Sequence, residues 1–176
     1  MSQLIDAKFT FSFASLLFNT KYSEEYVIKL IEDRFGKAII LRSNYFPMKE
    51  YYSKEMGDVN SLSRLLLLIP IFYDRRNLVK DKIWSDEVEK NHSDKNLRNI
   101  NIDVGYQSLE QVVLATGKQF THRIYLDHGV YTDLNLIFEG SSYKSLNWTY
   151  PDYAHSDFIN FFNWSRLLLL NNLNNS

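Results

Sequence analysis

The sequence predicts a single α+β domain over residues 1–170, mainly an antiparallel sheet with about three helices packed on it, followed by an Asn-rich flexible tail at residues 171–176. Two kinds of pattern predict this class: apolar residues at every second position, typical of strands, and an apolar series at helical spacing with both ends marked. A chain of 176 residues is long enough to bury one core. We find no internal repeat and no second domain.

Composition and charge exclude several classes of function. The chain has no cysteine, which excludes disulfides, thiol nucleophiles and zinc sites built on cysteine. A net charge of -1 is not the basic excess of a dedicated nucleic-acid-binding protein. The first residues lack the basic and apolar regions of a signal peptide, and the longest apolar run, Leu65 to Phe72, is too short to cross a membrane. We therefore expect a soluble, cytoplasmic protein.

The first part of the chain predicts a strand, a helix and a second strand. Residues 9–13 alternate Phe with small or polar residues, which predicts a half-buried strand. Ser23 is a suitable N-cap for the helix, and Gly36 is a suitable end. Residues 37–41 predict the next strand.

Residues 44–57 predict an irregular loop, because Pro47 breaks regular structure and Gly57 permits a left-handed turn. Residues 62–69 are apolar and fit either a strand or a helix. The proline at position 70 favours a strand that stops there.

The second half of the chain predicts two helices, at residues 77–89 and 156–170, and strands at 98–104 and 111–116. The strand at 111–116 is apolar on both faces, which indicates a central position in the sheet. The side chains expected to face the core from the two helices are Val79, Ile83, Val88, Phe158, Phe161, Phe162 and either Trp164 or Arg166.

Residues 121–126 and 130–138 predict a hairpin whose register can be derived from its side chains. A two-residue loop at His128-Gly129 would mix apolar and polar faces, whereas a three-residue loop at residues 127–129 pairs opposite charges and aromatic rings. The second register places Arg123 opposite Asp133, Tyr125 opposite Tyr131, Ile124 opposite Thr132, His122 opposite Leu134 and Leu126 opposite Val130.

Six short segments, spread from residue 46 to residue 153, follow a recognisable order and spacing. They are Phe46-Pro47, residues 51–57 (Tyr-Tyr-Ser-Lys-Glu-Met-Gly), 101–106 (Asn-Ile-Asp-Val-Gly-Tyr), 113–118 (Val-Leu-Ala-Thr-Gly-Lys), 122–126 (His-Arg-Ile-Tyr-Leu) and 148–153 (Trp-Thr-Tyr-Pro-Asp-Tyr). In these segments the chain resembles a bacterial family of small proteins known only as a domain of unknown function. The family pattern has proline where this chain has Val104 and favours two threonines where it has Thr116-Gly117. The resemblance implies an α+β protein and no established activity.

Some members of that family carry a GTP-binding label, and this sequence gives the label no support. A phosphate-binding P-loop requires Gly-x-x-x-x-Gly-Lys followed by Ser or Thr. Gly117-Lys118 is followed by Gln119 and has Val112 where the first glycine belongs. The pair Gly36-Lys37 fails at the same two positions.

The candidate site is one polar face of the predicted sheet, together with the tyrosine-rich loop and the segment before the last helix. Carboxylate, amide, cationic and phenol groups recur there, which suits a binding face with aromatic walls. The alternative is the solvated outer face of an antiparallel sheet. The candidate ligand-binding residues are Tyr52, Glu55, Asn101, Asp103, Lys118, Arg123, Tyr125, Tyr131, Asp133, Trp148, Tyr150 and Asp152.

Lys118 and Arg123 indicate an anionic ligand, since a guanidinium binds phosphate or carboxylate bidentately and an ammonium binds as a point charge. Arg123 with Asp133 would otherwise be a surface ion pair. His122 is either a general acid or base, or a hydrogen-bonded core or edge histidine, which its place on the apolar face favours.

Glu55 with Asp103 or Asp152 would make a carboxylate pair for acid–base chemistry or metal binding. Nothing in the spacing forces these groups together, so we expect no metal site. Trp148 and Tyr150 either stack on a ligand or belong to the core or a lid.

The sequence therefore predicts binding of an anionic, nucleotide-like small molecule on a basic-aromatic face of the sheet. A protein-interaction or scaffold module without catalysis is the first alternative, because Tyr is enriched in interface cores. RNA binding by stacking on Tyr125 and Tyr131 is the second. No motif decides whether the chain is an enzyme or indicates a cofactor, an oligomeric state or a reaction.

Overall fold

The computed structural model describes residues 3–4, 6–43, 47–95 and 97–175. Along these ranges the strands and helices are β1 (Thr10–Asn19), α1 (Glu24–Phe35), β2 (Ile39–Arg42), α2 (Lys49–Met56), β3 (Leu62–Tyr73), α3 (Leu78–Asn91), β4 (Ser93–Asp94), β5 (Leu97–Arg98), β6 (Ile100–Gln107), β7 (Gln111–Thr116), β8 (Arg123–Asp127), β9 (Val130–Glu139), β10 (Ser142–Ser145) and α4 (Ser156–Asn174).

One eight-stranded antiparallel sheet forms the centre of the molecule, with strand order β10–β9–β7–β6–β1–β3–β2. One edge of β9 pairs with β7. The other edge pairs with β8 at residues 130–133 and with β10 at residues 136–139. β4 and β5 form a separate small hairpin. The α+β class with a mainly antiparallel sheet is therefore confirmed.

Helices cover both faces of the sheet. α1 and α3 pack on one face, against Ala14, Leu16 and Phe18 of β1, and α4 packs on the other, against Phe11 and Phe13. β1 is consequently buried along both faces. Our prediction of a half-buried first strand is wrong, because alternation alone does not show that a second helical layer covers the other face. Within the described ranges, no helix has the length and apolarity needed to cross a membrane.

Helix α1 begins and ends as its sequence predicts. The Ser23 hydroxyl accepts a hydrogen bond from the backbone N of Tyr26 at 3.2 Å, and Gly36 follows the last helical residue with φ 102°. A positive φ of this kind favours glycine, which has no Cβ to clash with the backbone.

We predicted an irregular loop at residues 44–57, and this prediction is wrong for the second half of that range, which forms helix α2. Residues 44–46 lie outside the described residues, but Lys49–Met56 is helical. Met48 precedes α2 and provides no side-chain cap, so the usual N-cap signal is missing from the sequence. Gly57, with φ 79°, ends the helix. The described residues thus contain four α-helices rather than about three.

Strand β3 continues to Tyr73, past the proline at position 70 where we predicted a stop. Its pairing with β2 ends at Leu68, and its pairing with β1 is irregular between Ile69 and Tyr73. Pro70 therefore lies at a break in the ladder, where its missing N–H costs no regular hydrogen bond.

Ile83 of α3, which we expected to face the core, is 37% exposed, whereas Val79 and Val88 pack against the core as predicted. Of the two alternatives in α4, Trp164 is 48% exposed, whereas Arg166 is part-buried and its Nε donates to the Leu109 carbonyl at 2.8 Å. α4 also continues to Asn174, beyond residue 170 where we expected it to end.

The β8–β9 register is confirmed at Arg123–Asp133, Ile124–Thr132 and Tyr125–Tyr131. The predicted Leu126–Val130 pair is wrong, because Asp127 lies opposite Val130 and the strand is irregular between positions 125 and 127. His128 and Gly129 both have positive φ and form a two-residue turn. One extra residue in β8 thus compensates for the shorter loop.

Candidate functional site

The sheet opens between β6 and β7. Gly105 to Gln107 of β6 pair with Val112 to Leu114 of β7, and no further pairs form in the described residues. Continued pairing would place Asp103 opposite Thr116. Instead β6 stays with β1 as far as Ile100, and β7 stays with β9, so the two strands separate.

A cavity of about 300 Å³ fills this opening and reaches side chains from both faces of the sheet. Its charged lining residues are Lys82, Asp86 and Glu89 of α3, Arg98, Asp103, Lys118 and Asp152. Its tyrosines are Tyr51, Tyr52, Tyr150 and Tyr153. The lining therefore holds four carboxylates and three cations, an excess of one negative charge.

Glu89 occupies the place that a neighbouring strand would otherwise have. Its Oε1 accepts a hydrogen bond from the backbone N of Ile102 at 2.7 Å, and its Oε2 accepts one from Arg98 Nη1 at 3.1 Å. Burial raises the pKa of Glu89 to about 7, against the opposing effects of Lys82 and the Ile102 amide. Glu89 is thus a carboxyl group that changes charge near neutral pH.

Lys82 lies beside Glu89 on α3 and forms an ion pair with Asp86, with Nζ 2.6 Å from Oδ1. Burial lowers the pKa of Lys82, but Glu89, Asp86 and Asp103 outweigh burial and raise it overall. This ammonium therefore remains charged and compensates part of the acidic lining.

Asp103 presents its carboxylate to the cavity. Among the described residues its one hydrogen bond comes from Asn101 Nδ2, which donates to Oδ2 at 3.0 Å. Arg98 Nη1 donates to Asn101 Oδ1 at 2.8 Å, which fixes the amide so that its NH₂ group faces Asp103. Burial raises the pKa of Asp103, as does Asp152, while Lys82 and Arg64 lower it. Oδ1 is left available to a hydrogen-bond donor from a ligand.

Arg64 and Asp152 form a buried ion pair close to Asp103, each with a side chain only 5% exposed. Arg64 Nη2 also donates to the Ser15 hydroxyl at 3.0 Å, and the guanidinium lies over the Phe158 ring, 5.3 Å from its centroid. The Arg64 Nε and Nη1 atoms have no hydrogen-bond partner in the described residues. The pair joins the cavity wall to the α4 side of the core.

At the cavity mouth, Lys118 is exposed and its Nζ donates to the Tyr51 hydroxyl at 2.7 Å. Arg123 stands behind it: Nε donates to Asp133 at 2.8 Å, Nη1 to the Lys118 carbonyl at 2.9 Å and Nη2 to the Tyr150 hydroxyl at 2.9 Å. All three nitrogens of this guanidinium are occupied. Arg123 therefore positions Lys118 and Tyr150 rather than facing the cavity itself.

Six of the twelve candidate residues line the cavity, and three more adjoin it. The lining residues are Tyr52, Asn101, Asp103, Lys118, Tyr150 and Asp152. Arg123 and Asp133 adjoin the cavity through Tyr150, and Glu55 adjoins it through an ion pair with Arg98.

The other three candidates lie away from the cavity: Tyr125 in β8, Tyr131 in β9 and Trp148 after β10. Tyr125 and Tyr131 pack edge to face, with ring centroids 5.3 Å apart. Trp148 stacks on His122 at 4.8 Å, and His122 Nε2 lies 3.4 Å from Asp133 Oδ1. His122 Nε2 is buried and has no hydrogen-bond partner among the described residues, so the role of His122 stays a prediction.

No pattern in the sequence indicated that α3 contributes to the site. Lys82, Asp86 and Glu89 recur at helical spacing, a pattern typical of a solvent-facing side. Tyr153 and Arg98 were also missing from the candidates, although the sequence offered a signal for both: Tyr153 belongs to the 148–153 segment, and Arg98 begins the strand that we predicted at residues 98–104.

The arrangement suits recognition of a polar molecule by carboxylate, ammonium and phenol groups. Burial raises the pKa of both Tyr52 and Tyr150, so these phenols stay protonated and can donate hydrogen bonds. In the described ranges, no group of three His, Cys, Asp or Glu side chains could hold a metal ion.

Comparison with known proteins gives one match. No curated protein and no solved structure matches the chain. The family described as Domain of unknown function (DUF4416) matches residues 8–168, which is most of the sequence. The chain therefore belongs to the DUF4416 family, for which no function is stated.

Proposed function

We propose that this chain binds a small polar molecule in the cavity between β6 and β7, one that presents hydrogen-bond donors to Asp103 and a single anionic group to Lys118. The Asp103 carboxylate carries this proposal: it faces the cavity with the Asn101 amide as its one hydrogen-bond partner in the described residues. A carboxylate removed from water without a full set of donors costs free energy, and N–H groups of a ligand would offset that cost.

The charge of the lining restricts where an anionic group fits. Lys82 is held by Asp86, and Arg98 by Glu55 and Glu89. Within the described residues, Lys118 Nζ donates only to the Tyr51 hydroxyl, which leaves two of its three ammonium protons for a ligand. The anionic group therefore belongs at the mouth, and the donor groups belong in the acidic interior.

The size and walls of the cavity favour a flat, compact molecule. A volume of about 300 Å³ is at the lower end of the roughly 300–1,000 Å³ found for ligand pockets. Four tyrosines line it, and phenol rings pack well against planar groups. A nucleotide-like molecule whose base carries N–H donors is one ligand of this kind.

Isothermal titration calorimetry tests the proposal with ligands identified in a thermal-shift screen of nucleotides and phosphorylated or carboxylated metabolites. We expect Asp103→Asn and Lys118→Met each to weaken binding by roughly tenfold to a hundredfold, the loss expected for a hydrogen bond to a charged group. Asp127→Asn and Lys144→Met change exposed residues outside the cavity and serve as matched controls.

Asp103→Asn should retain the stability of the protein, because it removes a buried charge that has one hydrogen-bond partner among the described residues. Pyrophosphate, an anion without N–H donors, should bind more weakly than donor-bearing ligands. If pyrophosphate binds equally well and Asp103→Asn has no effect, or if no compound shifts the melting temperature, the proposal fails.

A protein-interaction role is the second candidate, because large apolar side chains are exposed around β8. RNA binding has less support: Tyr125 and Tyr131 pack against each other, and the neighbouring Arg123 is occupied by Asp133. A bacterial origin is what the family resemblance implies, and a cytoplasmic location is an expectation from the sequence. The GTP-binding label of some relatives gains no support from a P-loop in this chain.

A further inference from the structure

We infer that β8 is the docking edge for a second copy of this chain, with the two copies pairing antiparallel and Tyr125 lying on the two-fold axis. This inference does not depend on the proposed cavity ligand. It rests on three properties of β8: an unpaired edge, exposed apolar side chains, and a sequence that complements itself when reversed.

β8 is an edge strand with an open side. It pairs with β9 along one edge and, among the described residues, with no strand along the other. Such an edge presents backbone N–H and C=O groups that can pair with another chain. Ile124 is 69% exposed, Tyr125 55% and Leu126 41%, so apolar side chains flank these backbone groups. Natural edge strands usually carry charges to prevent pairing, and the middle of β8 has none.

The exposed apolar surface extends beyond the strand. Phe120 is 62% exposed and Trp148 41%, and the His122 ring joins them, 5.4 Å from Phe120 and 4.8 Å from Trp148. With Ile124 and Leu126 these side chains expose about 400 Å² of apolar surface, taking roughly 200 Å² for each whole side chain. A stable interface needs about 800 Å² per partner. The patch thus supplies about half of it, and the paired strands with Tyr125 supply further area.

The order of residues in β8 favours a second copy over an unrelated protein. Tyr125 is central in the strand, and Ile124 and Leu126 flank it with exposed apolar side chains. When two copies run antiparallel about Tyr125, each isoleucine faces a leucine, whereas each Arg123 side chain, 9% exposed, stays bound to Asp133 of its own copy. Side-chain pairs that pack across two strands stabilise a sheet, and a two-fold interface requires this self-complementarity.

The irregularity after Tyr125 limits the length of this pairing. A bulge increases local twist and interrupts regular hydrogen bonding, so the ladder between two copies would be short. A two-fold pair also uses the β8 edge of both copies, which closes the assembly at a dimer. We therefore expect a reversible dimer of moderate affinity.

Disulfide trapping tests the register, because the chain has no cysteine and any thiol is the one introduced. Tyr125→Cys would place two thiols across the axis, within the Cα separation of about 7 Å that a disulfide tolerates. Tyr26→Cys, at a tyrosine 42% exposed on α1, is the matched control. On a non-reducing gel after mild oxidation, we expect a covalent dimer for Tyr125→Cys and a monomer for Tyr26→Cys.

Analytical ultracentrifugation tests the association without a cross-link. Ile124→Lys should weaken dimerisation by at least roughly tenfold, whereas Leu167→Lys, at a leucine 58% exposed on α4, should not. Thermal unfolding of both variants checks that they are folded. A wild-type monomer at all concentrations up to about 1 mM, equal cross-linking of the two cysteine variants, or a dimer unaffected by Ile124→Lys would each overturn the inference.

Discussion

Glu89 makes the stability of the folded protein depend on pH near neutrality, and Glu89→Gln should remove that dependence. Burial moves the pKa of this carboxyl from 4.5 to about 7 in the folded state. The folded state therefore prefers the protonated form. The stabilisation associated with that form is complete below about pH 4.5 and is lost as the pH rises through about 7. At about 1.4 kcal/mol per pKa unit, the shift costs about 3 kcal/mol in total, of which about 2 kcal/mol falls between pH 5 and pH 8.

Urea unfolding of wild type, Glu89→Gln and Glu87→Gln at pH values from about 5 to about 8 measures this contribution. Glutamine retains an oxygen that can accept the Ile102 amide but cannot ionise. The free energy of unfolding of wild type, relative to Glu89→Gln, should fall by about 2 kcal/mol across that range. Glu87 is an exposed carboxylate of the same helix, and its variant should follow wild type. Parallel pH profiles for wild type and Glu89→Gln, or a difference of the opposite sign, would refute the reasoning.

Two further predictions concern packing. Gly105→Ala should destabilise the protein by at least about 2 kcal/mol, because an added Cβ would lie 2.3 Å from the Val113 carbonyl oxygen and 2.5 Å from the Phe13 ring. Gly117→Ala has nothing within 4 Å of the added Cβ and should be near neutral, so equal urea midpoints for these variants would contradict the role of close approach at Gly105. Phe162→Ala should cost about 3–5 kcal/mol, since this fully buried ring packs on Phe13 between the sheet and α4. A loss under about 1 kcal/mol in the same measurement would contradict that packing.

Local chemistry explains which elements could be predicted from the sequence. Helix α1 has a capping serine and a terminal glycine, and each makes the contact that the residue type suggests. The β8–β9 register could be derived because charges and aromatic rings match at one offset only. The predicted three-residue loop was wrong, because a two-residue turn together with one extra residue in β8 gives the same pairs. Helix α2 was missed because Met48 is no N-cap and Pro47 suggested a loop.

The site was predicted less completely, for a physical reason. Asn101 and Asp103 belong to one strand, so their alternation with apolar residues placed them on one face. Glu89 and Lys82 come from a helix on the opposite side of the sheet, and they reach the same cavity only because β6 and β7 separate. No local sequence pattern indicates that two neighbouring strands stop pairing. The buried polar face of α3 has the same charged residues at helical spacing that a solvated face would have.

The short contact between β6 and β7 divides the sheet into two blocks. One consists of β2, β3, β1 and β6, the other of β7, β9, β8 and β10, and each keeps its own continuous ladder. α4 spans both, with Phe162 packed in the same cluster as Phe13 from one block and Leu136 from the other. A small rotation about the Gly105–Gln107 seam would change the width of the gap while leaving the ladders within each block intact. Such a rotation would have to repack Phe162 against both blocks, so the α4 cluster holds the width of the gap that the strand ladders leave open.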